Sequence, residues 1–178
     1  MNICVYGASS DNIDVMFKTD VNLLGRCIAQ KGHTLVYGGG TGGLMGAVMK
    51  GVASVDGKSI GVATRFFDHD GILCKECTEF IFTDTMRERK QIMEQRSDAF
   101  IMVAGGIGTY EEFFEILTLR QLKQHSKPIG ILNTLGYYDD LINLLKTTAD
   151  KGFMRDDISD CYVVSDSPEE LLNMLENM

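Results

Sequence analysis

The stretch Ala99-Phe100-Ile101-Met102-Val103-Ala104-Gly105-Gly106-Ile107-Gly108-Thr109-Tyr110-Glu111-Glu112-Phe113-Phe114-Glu115-Ile116-Leu117 decides the fold. Its opening five residues are an apolar run of strand length. Its closing apolar residues, Phe113, Phe114, Ile116 and Leu117, recur at helical spacing. Between them lies a glycine-rich turn, Gly105-Gly106-Ile107-Gly108-Thr109. A strand that passes through such a turn into a helix brings bare backbone N–H groups to the tip of a parallel sheet, where a phosphate is readily held. Glu111 and Glu112, placed by this reading in the first turn of the helix, then stand beside whatever carries the phosphate. The pattern points to chemistry on a phosphorylated small molecule.

Outward from this unit, short apolar segments alternate with helical ones along the whole chain. Strands are predicted at 2–6, 34–37, 58–63, 79–83, 99–103, 128–132 and 161–164, and helices near 14–31, 43–54, 85–97, 108–124, 137–150 and 168–177. That alternation implies one α/β domain over residues 1–178. Its Rossmann-like, doubly wound parallel sheet of about six to seven strands carries helices on both faces. Pro128 at a strand start and Pro168 at a helix start, the two prolines of the chain, stand in permitted places. The least regular stretch is 65–78, expected to be mobile and near the site.

With 178 residues and 44% hydrophobic content, the chain has enough apolar surface for its own core. No apolar run reaches bilayer length, so no membrane association is expected. Met1-Asn2-Ile3-Cys4-Val5 enters a strand without a basic leader, which argues against secretion. The five cysteines lack a disulfide-type spacing. Cys4 and Cys161, in predicted strands, and Cys27, in a predicted helix, read as core residues of a reducing compartment, and a cytoplasmic location is expected. Cys74-Lys75-Glu76-Cys77 is a lone C-x-x-C with His69 upstream and no second pair, so no metal site is expected. A formal charge of −8 opposes a coat for nucleic acid. A single nucleotide, in contrast, needs only a few local donors.

Ligands of such sheets bind at the C-terminal strand ends. Four turns should converge there: Gly7–Ser10, Gly38–Gly43, Thr83–Thr85 and Gly105–Thr109. The second, Gly38-x-Gly40-x-x-Gly43, matches the dinucleotide fingerprint literally. However, it follows the second strand, and Ile60–Arg65 supplies no acidic residue for a ribose. A nicotinamide cofactor is therefore disfavoured. Gly39 and Gly40 are better read as a second wall of a nucleotide pocket.

On the helix at 85–97, Arg89 falls within the apolar arc of Met86, Ile92 and Met93. A guanidinium there needs a partner, either a structural ion pair or a ligand that it grips with Lys90 alongside. Glu111 and Glu112 lie about 100° apart around their helix, so one is expected to face the pocket and the other solvent or a partner. On that helix Leu119 and Leu122 fall opposite the core-facing arc, with Glu111, Glu115 and Thr118. A helix apolar on two faces points to a homodimer contact.

These motifs together resemble the LONELY GUY (LOG) family of cytokinin riboside 5′-monophosphate phosphoribohydrolases. The signature P-G-G-x-G-T-x-x-E stands here as Ala104–Glu112, and M-H-x-R-K as Met86–Lys90. Y-G-G-G-x-x-G-L-M-G stands as Tyr37–Gly46, and the opening turn as Val5–Ser10, which includes Ser9. Ala104 replaces the signature proline and Arg87 its histidine. The M-P-x-x-L-type segment before the strand at 79–83 is missing.

The resemblance implies hydrolysis of the N-glycosidic bond of a nucleoside 5′-monophosphate, either a cytokinin riboside 5′-monophosphate or AMP. Arg89 and Glu112 would form the catalytic pair. Gly105, Gly106, Gly108 and Thr109 would bind phosphate, and Thr118 would make a further substrate contact. No metal or organic cofactor is implied. Members of the family are also labelled lysine decarboxylases, but no residue pattern here speaks for that pyridoxal-phosphate chemistry. A non-enzymatic nucleotide carrier or sensor on the same fold is the alternative.

Overall fold

The computed structural model describes residues 1–178 except His69, Asp70, Lys75 and Arg155, and except the side chains of Asp156 and Asp157. Seven strands form one sheet, parallel throughout. They are β1 (Asn2–Tyr6), β2 (Thr34–Tyr37), β3 (Lys58–Thr64), β4 (Glu79–Thr83), β5 (Ala99–Met102), β6 (Ile129–Leu132) and β7 (Val163–Ser165). Six α-helices connect or follow them: α1 (Val15–Gln30), α2 (Gly43–Ala53), α3 (Met86–Gln95), α4 (Ile107–Gln121), α5 (Asp139–Asp150) and α6 (Pro168–Glu176). The strand order is β4-β3-β2-β1-β5-β6-β7. The chain builds outward from β1 to β4, crosses back, and builds outward again from β5. Strands β1 and β5 are therefore neighbours whose connections leave in opposite directions, the place where a doubly wound sheet opens a crevice.

Alternation along the strands sorts the core into two layers. Ile3, Val5, Leu35, Tyr37 and Ile101 point to the layer with Leu24, Ile28, Leu44, Val48 and Leu171 of α1, α2 and α6. Cys4, Tyr6, Val36, Phe100, Met102 and Ile131 point to the other, with Met93, Phe113, Ile116, Leu117 and Leu145 of α3, α4 and α5. The register aligns Val5 with both Tyr37 and Ile101, so the tips of β1, β2 and β5 end level.

The predicted elements are all present, with small shifts at their ends. Cys161 closes a 3-10 turn (Asp156–Cys161) rather than starting a strand, because β7 begins only at Val163. Helix α4 begins at Ile107, so Glu111 and Glu112 lie in its second turn and its first turn holds no acidic residue. The glycine turn is one residue tighter than its sequence suggests. Within the segment 65–78, Arg65–Phe67 form a 3-10 turn, and residues 71–74 form a strap joined to the β2–α2 loop through an antiparallel bridge between Gly40 and Leu73. Thr41 N donates to Ile72 O at 2.9 Å and Cys74 N to Gly39 O at 2.8 Å. None of the described helices is long and apolar enough to cross a membrane.

The starts of α1, α3 and α6 differ from those of α2 and α4. Asp14, Thr85 and Ser167 cap α1, α3 and α6 by accepting from Met16 N, Glu88 N and Glu170 N. Gly42 and Gly106, which begin α2 and α4, have no side chain to do so.

Candidate active site

A cavity of about 890 Å³ opens at the C-terminal ends of β1, β2 and β5. Its floor is the β1–α1 turn, Gly7 to Asp11. Gly38 and Gly40–Gly42 form one wall, and Gly106, Gly108, Thr109 and Glu112 of α4 the other. Met86 and Arg89 of α3 close the back, and Met45, Phe67, Ile72 and Leu73 supply an apolar side.

Arg89 and Glu112 meet inside this cavity. Nη1 of Arg89 donates to Oε1 of Glu112 at 2.8 Å, and its Nε donates to the Val62 carbonyl at 3.1 Å. The two side chains are only 13% and 12% exposed. A Cβ on Gly38 would lie 2.4 Å from Nη2 of Arg89, so only glycine leaves the guanidinium its place. Burial raises the pKa of Glu112 above the usual glutamate value, and the adjacent arginine offsets that only in part. The result is a carboxyl group held in place by a cation and poised to take or give a proton. Below the pair, Cys4 and Tyr6 are buried, and desolvation pushes the Cys4 thiol up to about 12, leaving it neutral.

The second carboxylate is engaged elsewhere. Glu111 is exposed and bonded to Lys90, which also reaches Glu115 at 2.7 Å. Burial works against the Lys90 charge, but the two glutamates overcome it and raise its pKa. Lys90 and Glu111 thus form a surface ion cluster outside the cavity lining. Helical geometry explains the split, since consecutive residues are rotated about 100°.

Other expected site residues separate in the same way. Ser9, Gly40, Gly106, Gly108 and Thr109 line the cavity, whereas Gly39, Gly105 and Thr118 do not. Gly39, at φ +73°, turns its bare Cα toward the Phe80 ring instead. Gly105 packs its Cα against Thr109. Thr118 is exposed, more than a turn beyond Glu112. The Thr83–Thr85 turn contributes nothing directly, but the helix it starts delivers Met86 and Arg89.

Asp11, Phe67, Ile72 and Leu73 are cavity residues that the motifs do not mark. The strap residues arrive through the bridge to Gly40, a contact between distant parts of the chain that leaves no local signal. Cys77 Sγ donates to Glu79 O at 3.1 Å, and burial raises its pKa. No cluster of three or more His, Cys, Asp or Glu able to hold a metal occurs among the described residues, and His69 lies outside them.

A family model described as "Possible lysine decarboxylase" matches residues 45–175. Over 96% of this chain and 90% of its own length, a Mycobacterium tuberculosis protein named cytokinin riboside 5′-monophosphate phosphoribohydrolase is 36% identical. The Arabidopsis thaliana protein of that name, LOG2, is 33% identical over 98% of this chain and 82% of its own. Among solved structures, the molybdenum cofactor binding protein of Rippkaea orientalis superposes with a TM-score of 0.75 at 21% identity, covering 99% of this chain and 95% of that one. The molybdenum cofactor carrier protein of Chlamydomonas reinhardtii gives 0.74 at 22%, covering 99% and 98%. At that identity the likeness is one of fold. Near-full-length identity above 30%, together with the matching family model, settles the lineage: this chain belongs to the LONELY GUY family.

Proposed function

We propose that this chain hydrolyses the N-glycosidic bond of a nucleoside 5′-monophosphate, a cytokinin riboside 5′-monophosphate or AMP, to free base and ribose 5-phosphate. The observation that carries the reading is the buried Glu112 carboxyl, paired with Arg89 at 2.8 Å and standing less than two helical turns beyond the uncapped start of α4. The names of the relatives support it.

In this reading the 5′-phosphate sits at the α4 N-terminus, where the backbone amides of Gly106 to Thr109 and the helix dipole favour an anion. That anchor fixes the ribose with its anomeric carbon beside Glu112. As the C1′–N bond breaks, positive charge builds on the sugar ring and the carboxylate stabilises it. Glu112 takes a proton from the water whose oxygen bonds to C1′ and later releases it to solvent, while the departing base takes a proton from solvent at its nitrogen. A pKa raised toward neutrality suits that base. Arg89 holds the carboxylate in line, and the apolar side made by Met45, Phe67 and Ile72 receives the base. A carrier would have little use for a carboxylate beside an anionic ligand.

Product analysis tests this directly. AMP or an N6-substituted analogue should yield free base and ribose 5-phosphate. Glu112→Gln should lower the rate roughly a hundredfold or more while the fold survives. Because the carboxylate form works, wild-type kcat/KM should fall as pH drops through a pKa above the ordinary glutamate range. Saturable binding without turnover over purine and pyrimidine monophosphates would favour the carrier, and a wild-type rate in Glu112→Gln would remove that residue from the mechanism.

The reading extends to a homodimer through the outer face of α4, where Leu122 is 59% exposed beside half-buried Leu119. Sedimentation should give twice the chain mass, and a single chain mass would contradict it.

A further inference from the structure

The turn proposed to hold phosphate has an unusual feature in its carbonyls. An anion cradle needs N–H groups aimed at the ligand and C=O groups turned away. From Val103 to Gly106 each carbonyl has a donor of the protein's own. Val103 O accepts from the Tyr138 hydroxyl at 2.9 Å, Ala104 O from Ala8 N at 3.0 Å and Gly105 O from the Tyr137 hydroxyl at 2.8 Å. Gly106 O accepts the ordinary helical bond from Tyr110 N at 3.0 Å.

The peptide unit between Gly105 and Gly106 is the weak point of this series. It is flanked by two residues without Cβ atoms, so steric restraint on its rotation is small. A trans peptide carries its C=O and N–H on opposite sides, and no cis bond occurs among the described residues. Whatever holds the Gly105 carbonyl therefore also aims the Gly106 N–H. Gly106 lines the cavity, and nothing lies within 4 Å of where its Cβ would be.

We infer that Tyr137 is a positioning residue for the phosphate site: its hydroxyl fixes the Gly105 carbonyl and so points the Gly106 amide at the ligand. This deepens the proposed function and rests on its placement of the phosphate. Tyr137 is absent from the cavity lining, so it acts through the peptide and not on the substrate. The residue is 45% exposed, and burial alone does not force the hydroxyl onto a protein acceptor. The segment that presents it is held in a costly conformation. Leu135 sits at φ +55° and is 66% exposed, and Gly136 follows at φ +70°. Asn133 braces that turn by accepting from Tyr138 N at 2.8 Å and donating to Asp139 at 2.7 Å. Edge contacts with Phe17 at 5.7 Å and Tyr138 at 4.8 Å then set the ring.

Tyr137→Phe removes the hydroxyl and keeps those ring contacts. Calorimetric titration with ribose 5-phosphate, alongside steady-state kinetics on AMP, reads the effect. Affinity for ribose 5-phosphate should weaken roughly fivefold to tenfold, with a matching rise in KM, a nearly unchanged kcat and an unchanged melting temperature. Tyr138→Phe, which strips the fully buried bond to Val103 O, should instead lower the melting temperature. Unchanged ribose 5-phosphate affinity in Tyr137→Phe, or a fall in kcat at constant KM, overturns the inference. So does a wild-type protein that binds no ribose 5-phosphate. A wild-type protein that binds it but cleaves no nucleotide refutes the hydrolase reading alone, and the Tyr137 result then stands on affinity.

Discussion

Two glycine-rich loops at the same sheet edge meet opposite fates. Both run from a buried strand into a helix whose cap is a glycine, Gly42 for α2 and Gly106 for α4. In the β2–α2 loop the chain itself fills the helix start. Gly43 N donates to Asp11 Oδ1 at 2.9 Å, and Leu44 N donates to Ala8 O at 2.8 Å. Gly43, at φ +56°, lets α2 press on the β1–α1 turn, for a Cβ there would sit 2.5 Å from Ala8 O. In the β5–α4 loop, Cβ positions on Gly106 and Gly108 face open space. The first loop uses glycine so that protein can approach protein, and the second leaves its backbone open, where the proposed function places the phosphate. The one matching the dinucleotide fingerprint is the occupied one. Motif spacing alone does not distinguish these uses; the neighbours do.

The contrast can be broken most forcefully at Gly43. Gly43→Ala adds a methyl to a left-handed backbone pressed on a carbonyl, and should cost roughly 2–5 kcal/mol in chemical denaturation. Gly108→Ala should do the reverse. A better helix former in the first turn leaves the fold as stable or up to about 1 kcal/mol more so. Its methyl enters the cradle, however, and ribose 5-phosphate affinity should fall about tenfold, near 1.4 kcal/mol. Equal stability losses in the two variants would erase the distinction. The smallest effect belongs to Asp11→Ala, which uncovers the Gly43 amide. The bond from Gly43 and the nearby Lys18 hold the Asp11 carboxyl below its usual pKa. A group depressed on folding contributes above its unfolded pKa and loses that contribution as pH falls through the folded one. The slight drop in melting temperature should therefore be seen at neutral pH and vanish in strong acid.

Much of this was legible in the chain. Short apolar runs located the strands, whose two faces are both covered, and 3.6-residue periodicity located the helices, each of which buries one face against the sheet. The Gly105–Thr109 turn was legible because its parts are contiguous. Arg89 stood out as a charge inside an apolar arc, and its partner proved to be Glu112. Less was legible where tertiary contacts decide. The earlier start of α4 moved the glutamates into its second turn. The Gly40–Leu73 bridge brought Phe67 and Ile72 to the cavity from a stretch without periodicity. Tyr137 reaches Gly105 across 32 residues of sequence, a bond no local pattern announces.

In the proposed function the anion lodges at the open helix start and not the occupied one. Amide chemical shifts followed by NMR during titration with ribose 5-phosphate test this most directly. Saturating shifts should concentrate at Gly106, Gly108 and Thr109, with Gly42 and Gly43 little changed. Shifts centred on Gly42 to Leu44, with the α4 amides silent, would contradict it.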